Sequence, residues 1–280
     1  MGSFGALSSA ISGLQAQSFA LQNISGNIAN AQTTAFKTTD TSFQDFLNAQ
    51  TAAMQSPDGV QALSTASNTV QGTIQTESVS TYMAINGDGY FTVEQPSGTG
   101  SDGTPTFAGS TPVYTRRGDF QLDANGYLVN GAGYYLMGSP TDPSTGSPTT
   151  GTPQLLQFNS ASLPTDQGTL QSLSIDPNGQ IQGNFSSGST VNLAGVPLST
   201  FNGEDSLQQG DGETFIPTPE SGTVQPGATG KIVGSALEAS NTNVADQFTT
   251  MIMTQQAYNA NTKVVTTANE MLQTLTNLTV

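Results

Sequence analysis

A few short runs carry the side chains from which a reaction could be built. Glu204-Asp205 and Asp211-x-Glu213 bring two pairs of carboxylates close together in sequence, and two carboxylates are all that glycoside hydrolysis needs. Asp123-x-Asn125-Gly126 and Asp176-x-Asn178-Gly179 look like the opening of a calcium loop, and Gly87-Asp88-Gly89 like the start of a phosphate cradle. Each falls short. Adjacent Glu204 and Asp205 would point to opposite faces of a strand, and no Trp is present to stack a sugar, so these acids are expected to be solvated surface groups. The two Asp-x-Asn-Gly runs lack the further oxygen ligands and the closing Glu of a calcium loop. No Gly-Lys-Ser/Thr follows Gly89, so phosphate has no cradle there. The chain contains no His and no Cys, which excludes His-based triads, thiolate chemistry, disulfides and the usual zinc sites. No catalytic residue, cofactor or metal is expected.

The composition points elsewhere. Of 280 residues only 9% are charged, against about 25% in ordinary soluble proteins, and the net charge is −15 with a pI near 4.1. Five basic residues cannot line a phosphate-tracking surface, so nucleic acid is not an expected partner. The surface must be built from Ser, Thr, Asn, Gln and Gly, which suits an extracellular or assembled protein. The N-terminus has neither a basic n-region nor an apolar stretch long enough for a signal peptide or membrane span. Ala6 stands where a myristoylation signal started by Gly2 would need Ser or Thr. Any export is expected to use a route without a cleaved signal.

The charge is concentrated in the middle. Residues 1–37 carry only Lys37; residues 38–230 hold 17 acids against Arg116 and Arg117, a net of −15; residues 231–280 are at −1. The two near-neutral ends carry helical stripes. Leu7, Leu14, Leu21 and Ile28 recur every seven residues, with Phe4, Ile11 and Ile24 at the three- and four-residue offsets. Val244, Met251, Tyr258, Val265 and Leu272 repeat the pattern, joined by Phe248, Ile252, Leu275 and Leu278. Ser240 or Asn241 is the expected N-cap of the second helix. Some 30 residues make a helix of about 45 Å. The faces opposite the stripes are polar but uncharged, which favours packing between subunits over solvation.

The middle reads as β-structure. Ala84 to Val93 is strand, Gly-rich turn, strand, and Asp123 to Gly126 and Asp176 to Gly179 are hairpin turns, since Asn-Gly tolerates positive φ and Pro177 presets a turn. Residues 96–112, 139–153 and 216–230 are dense in Gly, Pro, Ser and Thr and read as loops. The expected fold is α+β, with paired coiled-coil-like N- and C-terminal helices and a central β-rich domain. Its parts are a helical arm over 1–37, an extended linker over 38–75, a β-rich domain over 76–230 and a second helical arm over 231–280.

The two ends resemble the flagellar axial family of hook, rod and hook-associated proteins. At the N-terminus the match runs through Ser12-Gly13-Leu14-Gln15-Ala16, Leu21, Asn27-Ile28-Ala29-Asn30, Thr34 and Phe36-Lys37. At the C-terminus it runs through Ala236 to Asn241, Met251-Ile252, Gln255, Ala257-Tyr258, Asn261 and Met271 to Leu275. Met83 to Val93, Tyr114 to Asn130 and Val196 to Leu207 are similar to the family's β segments. Ala35 departs from the Gly usual before Phe-Lys, Ser25-Gly26-Asn27 lacks the doubled Asn, and Gln256 replaces Arg.

The resemblance implies a structural subunit, with Asn27 and Asn30 joining Leu7, Ile11, Leu14, Leu21, Ile28, Val244, Phe248, Met251, Ile252, Tyr258, Val265, Leu272 and Leu275 as assembly residues. It implies a helical homopolymer with copies of itself, contacts with other axial proteins of rod, hook-associated and hook-cap type, and type III export to the hook or basal body. Ala236 to Asn241 leans toward the hook and the chain length toward a distal rod subunit. A secreted glycan-binding or hydrolytic β domain with oligomerising arms is the alternative from another class.

Overall fold

The computed structural model describes residues 2–47, 57–100, 104–107, 109, 111–141, 153–158 and 168–278. They form two compact units. One comprises Met1–Gln32, Thr38–Ser67 and Thr242–Val280; the other comprises Thr33–Lys37 and Asn68–Asn241. The chain is α+β: two long helices and a small hairpin in the first unit, and antiparallel strands in the second.

In the helical unit, α1 (Gly2–Ala29) and α2 (Val244–Leu278) run antiparallel. Asn27 near the end of α1 donates from Nδ2 to Oε1 of Gln247 near the start of α2, at 3.2 Å. Further along, a Cβ at Gly13 would come within 2.7 Å of Asn261 Nδ2. The buried face of α1 is made of Ala10, Gly13, Ala16, Ala20, Ile24 and Asn27. These residues repeat at helical spacing but are mostly small, so the helices approach closely. Interior glycines cost a helix about 0.5–1 kcal/mol each relative to Ala, so α1, with Gly5, Gly13 and Gly26, depends on packing for its shape. Asn243, and neither Ser240 nor Asn241 as expected, starts α2: its Oδ1 accepts the Ala245 N–H at 3.1 Å and its carbonyl accepts the Gln247 N–H at 3.0 Å. Asp246 in the first turn favours the positive end of the helix dipole.

Residues 39–66, expected to be extended or irregular, contain an antiparallel hairpin, β1 (Thr39–Leu47) with β2 (Pro57–Ala66), paired from Thr39↔Ala66 to Phe46↔Gly59. A lone two-stranded hairpin is marginal in water. This one is held on α1 by polar contacts. Asn23 Nδ2 donates to Thr41 Oγ1 at 2.8 Å and Ser64 Oγ at 3.2 Å, and Ser12 Oγ accepts the Val60 N–H at 3.2 Å.

The β-rich unit starts with β3 (Ile74–Thr76), β4 (Met83–Asn86) and β5 (Tyr90–Glu94). Its main sheet runs, in spatial order, Leu170–Ile175, Gln180–Phe185, Thr190–Gly195, Tyr135–Pro140, β5, Val113–Thr115, Thr214–Ile216 and Gln208–Gly210, each strand antiparallel to the next. Met83, Ile85, Phe91, Phe120, Leu136 and Ile181 centre the core. A second cluster stacks Tyr90, Tyr114, Phe201 and Phe215 edge to face. The Asp123 to Gly126 and Asp176 to Gly179 turns form as expected. Asp123 Oδ1 accepts the N–H groups of Asn125 and Tyr127, and Ile175 pairs with Ile181 across the second turn.

Ala84 to Val93 does contain two strands joined by a Gly-rich link, but they do not pair with each other. β4 pairs with Lys231–Gly234, and β5 joins the main sheet. The link instead turns its carbonyls onto a cation. Arg116 Nε donates to Gly89 O at 3.1 Å and Arg116 Nη2 donates to Gly87 O.

Candidate assembly surface

The apolar residues among those expected for assembly fall into three groups. Leu7, Leu14, Leu21 and Ile28 are half-buried and flank the small-residue seam of α1, while Met251, Val265 and Leu272 are half-buried on the side of α2 that carries buried Thr254 and Ala268. Ile11, Val244, Phe248, Ile252 and Tyr258 are exposed, Phe248 by 50% and Ile252 by 56%. The Leu275 side chain lies outside the described residues. The seam between α1 and α2 is made mainly of small side chains, with the large apolar residues beside it or turned away from it. Periodicity weights large apolar residues, whereas close helix contact selects Gly and Ala.

Asn27 and Asn30 have separate tasks. Asn27 is buried, and its Oδ1 accepts the Thr39 N–H at 2.9 Å while Nδ2 donates to Thr39 O at 3.0 Å. One side-chain amide therefore bonds the strand backbone as a neighbouring strand would, fixing where β1 begins. Asn30, just past the last helical residue, donates from its backbone and Nδ2 to Gly26 O, closing the end of α1. Asn27→Ala should lower stability by about 1–3 kcal/mol, because the Thr39 amide and carbonyl lose their partner in a buried place. Urea unfolding followed by circular dichroism checks this.

The exposed apolar side chains of α2 occupy two flanks. At 100° per residue, with Val244 at zero, Phe248 and Ile252 lie at about 40° and 80°, and Met253, Val264 and Met271 at about 180–200°. The residues turned toward α1 lie between, at about 240–340°. Met253 and Met271 are 58% and 59% exposed. The threonines of this helix add to its apolar character. Thr249, Thr250, Thr262, Thr266, Thr267, Thr274 and Thr276 each donate the hydroxyl back to a carbonyl three or four residues earlier. Each of these threonines is exposed, with its hydroxyl committed to the helix backbone.

In the β-rich unit the structure brings Lys37, Arg116 and Glu238, members of three separate sequence motifs, into one cluster. Lys37 and Glu238, 201 residues apart, form a buried ion pair at 2.6 Å, with side-chain exposures of 1% and 0%. Lys37 Nζ also donates to Val70 O at 2.6 Å. Glu238 Oε1 accepts the Gly72 N–H at 2.8 Å, and its Oε2 lies 3.5 Å from Arg116 Nη1. Backbone bonds sew the same segments together, Ala35 N–H to Glu238 O and Asn241 N–H to Phe36 O. Ala35 sits at φ 59°, the left-handed region where glycine is free of strain. The N-terminal and C-terminal motifs thus meet at one salt bridge.

Two acids expected to be solvated are half-buried here. Tyr90 Oη donates to Glu204 Oε2 at 3.3 Å, and Glu213 takes φ 61° with its carbonyl accepting from Thr115 Oγ1. Burial raises the Glu204 carboxyl above the ordinary range, with the Arg116 charge opposing; burial raises Glu213 against the pull of Arg117. Burial likewise lowers the Lys37 amine, opposed by Glu238, and raises the Tyr90 hydroxyl, helped by Glu204. A carboxyl raised in the folded state takes up its proton at higher pH than in the unfolded chain. The contribution is present at low pH and lost as pH rises through the folded value. Acidification from neutral to mildly acidic pH should therefore raise the melting temperature of the β-rich unit, read by thermal scans. A falling melting temperature would show that partners outweigh burial at both acids.

Among the described residues no group of His, Cys, Asp and Glu is placed to hold a metal ion, and no helix is long and apolar enough to cross a membrane. A family model described as Flagellar hook protein FlgE/F/G D1 domain matches residues 84–183, and one described as Flagellar basal body rod FlgEFG protein C-terminal matches residues 233–278. Relatives match along the whole length. The flagellar basal-body rod protein FlgG of Bacillus subtilis is 31% identical over 97% of this chain and 98% of its own. The FlgG of Buchnera aphidicola subsp. Schizaphis graminum is 32% identical over 95% and 96%. The flagellar hook protein FlgE of Brucella melitensis is 25% identical over 99% and 100%, in an alignment of 406 positions.

Proposed function

Because the chain belongs to the flagellar axial family of hook and rod proteins, a family of structural components, we propose that it is a subunit of the flagellar hook. It polymerises through its helical unit into a flexible tube that passes motor torque to the filament. The observation that carries this reading is the pair of uncovered apolar flanks on α2. Two different patches on one helix suit a head-to-tail contact, in which a patch of one copy meets the other patch of the next. Contacts of that kind propagate as rings or open helical polymers, whereas a self-complementary patch stops at a dimer. Copies of itself are the main partner; rod, hook-associated and hook-cap proteins meet it at the ends of the polymer, and the type III apparatus exports it.

Distal rod is the second reading, favoured by the 31% identity and near-equal length of the FlgG relative, whereas the alignment with the FlgE relative spans 406 positions. Immunogold labelling of isolated hook–basal bodies decides between them. Gold along the curved external segment means hook; gold confined to the straight segment within the envelope means rod.

A further inference from the structure

The β-rich unit contains five Asn-Gly dipeptides: Asn86-Gly87, Asn125-Gly126, Asn130-Gly131, Asn178-Gly179 and Asn202-Gly203. Asn-Gly is the dipeptide most open to spontaneous deamidation, because glycine has no side chain to hinder the approach of its backbone nitrogen to the asparagine Cγ. That nitrogen gives up its proton and attacks Cγ. A nitrogen–carbon bond forms, the bond from Cγ to Nδ2 breaks, and ammonia leaves carrying the proton. Water then opens the cyclic imide to Asp or isoaspartate. Each event adds a negative charge, and isoaspartate also lengthens the backbone within a turn.

In this fold the glycine nitrogen donates a hydrogen bond at every one of the five. Gly87 donates to Gln71 Oε1 at 3.1 Å, Gly126 to Asp123 O at 3.1 Å, and Gly131 to Asp119 Oδ2 at 3.3 Å. Gly179 donates to Asp176 O at 2.8 Å and Gly203 to Ser221 O at 3.2 Å. Three of the asparagine side chains are held as well. Asn130 Oδ1 accepts from the Ala132 and Tyr134 amides, Asn178 Nδ2 donates to Asp176 Oδ2, and Asn202 Oδ1 accepts from Gln225 Nε2. A nitrogen whose proton is bonded to an acceptor is a poorer nucleophile, and cyclisation has to break that bond first.

We infer that the β-rich unit shields all five Asn-Gly bonds from deamidation, so that these asparagines convert only from an opened chain. The shield is the glycine hydrogen bond at each position. It is independent of where the protein is placed in the flagellum. Three acceptors are backbone carbonyls of neighbouring turns, and two are side chains, Gln71 and Asp119, that a substitution can remove.

The test is peptide mass spectrometry of the full-length protein incubated at mildly alkaline pH, folded and in denaturant. Conversion at all five sites should be slower in the folded protein by about two- to tenfold, the rate equivalent of one retained hydrogen bond. Any of the five converting equally fast in both states overturns the inference. Gln71→Met removes the acceptor at Gly87 and should raise conversion at Asn86 alone, whereas Gln71→Glu keeps an acceptor and should leave it slow. An unchanged rate at Asn86 in folded Gln71→Met would show that the hydrogen bond is not the shield. The wild-type comparison decides the matter even if that variant fails to fold.

Discussion

Glu238→Ala destabilises the β-rich unit by about 3–5 kcal/mol, the usual consequence of stripping one partner from a buried ion pair. The carboxylate it removes faces Lys37 at 2.6 Å and Arg116 at 3.5 Å, and it also accepts the Gly72 amide. Without it, two cations and a backbone N–H are left in a place that water does not reach. For a unit of this size the loss corresponds to roughly 6–20 °C in melting temperature. Lys37→Met alone should also destabilise, by leaving Glu238 short of its nearest cation. Combining Lys37→Met with Glu238→Gln should recover part of the loss, since it removes the stranded Lys37 charge and keeps an amide beside the Gly72 N–H, while Arg116 keeps its bonds to the Gly87 and Gly89 carbonyls. Thermal unfolding of Lys37→Met, Glu238→Gln and the double variant closes the cycle. Hydrogen exchange locates the damage, with residues 33–37 and 68–72 losing protection first.

The second large effect is on assembly. Phe248→Asp together with Ile252→Asp should leave the subunit folded, because both side chains are at least half exposed. Each is already about half buried, so covering the rest against a neighbour is worth about 0.8–1.5 kcal/mol, and the pair should raise the concentration needed for polymerisation by about 10–100-fold. Met253→Asp with Met271→Asp should do the same from the other flank. Mixing the two variants gives the sharper result. Each keeps one patch intact, so a head-to-tail contact allows one productive pairing and then stops, and sedimentation should show short complexes in place of polymer. Polymers growing from either variant alone would remove the helical flanks from the assembly mechanism.

How far the sequence exposed this arrangement differs from one element to another. The seven-residue repeats of Leu7 to Ile28 and Val244 to Leu272 marked both helices, and the two Asp-x-Asn-Gly turns were readable from local stereochemistry. The seam between the helices was not, because Gly13, Ala16 and Ala20 leave little trace in a pattern weighted by large apolar side chains. The hairpin of β1 and β2 escaped for a related reason: held by Asn23, Ser12 and Asn27, it never needed an apolar face. Asn243 was one of several short polar residues before α2, and which of them caps the helix depends on where the chain enters it. Lys37 and Glu238 each stood in a recognisable motif, yet 201 intervening residues hide their pairing from any local reading.

The back-bonded threonines of α2 bear on the entropy of association. A surface Lys or Glu gives up about 1.5–2 kcal/mol of rotamer freedom when a contact immobilises it. Threonine is already stiff at χ1, and in Thr249, Thr250, Thr262, Thr267 and Thr274 the hydroxyl is committed to a carbonyl within the helix. Such a face enters a contact with few side-chain conformations left to lose. A polymer repeats that saving at every subunit, so a helix poor in charge can associate firmly through modest apolar area.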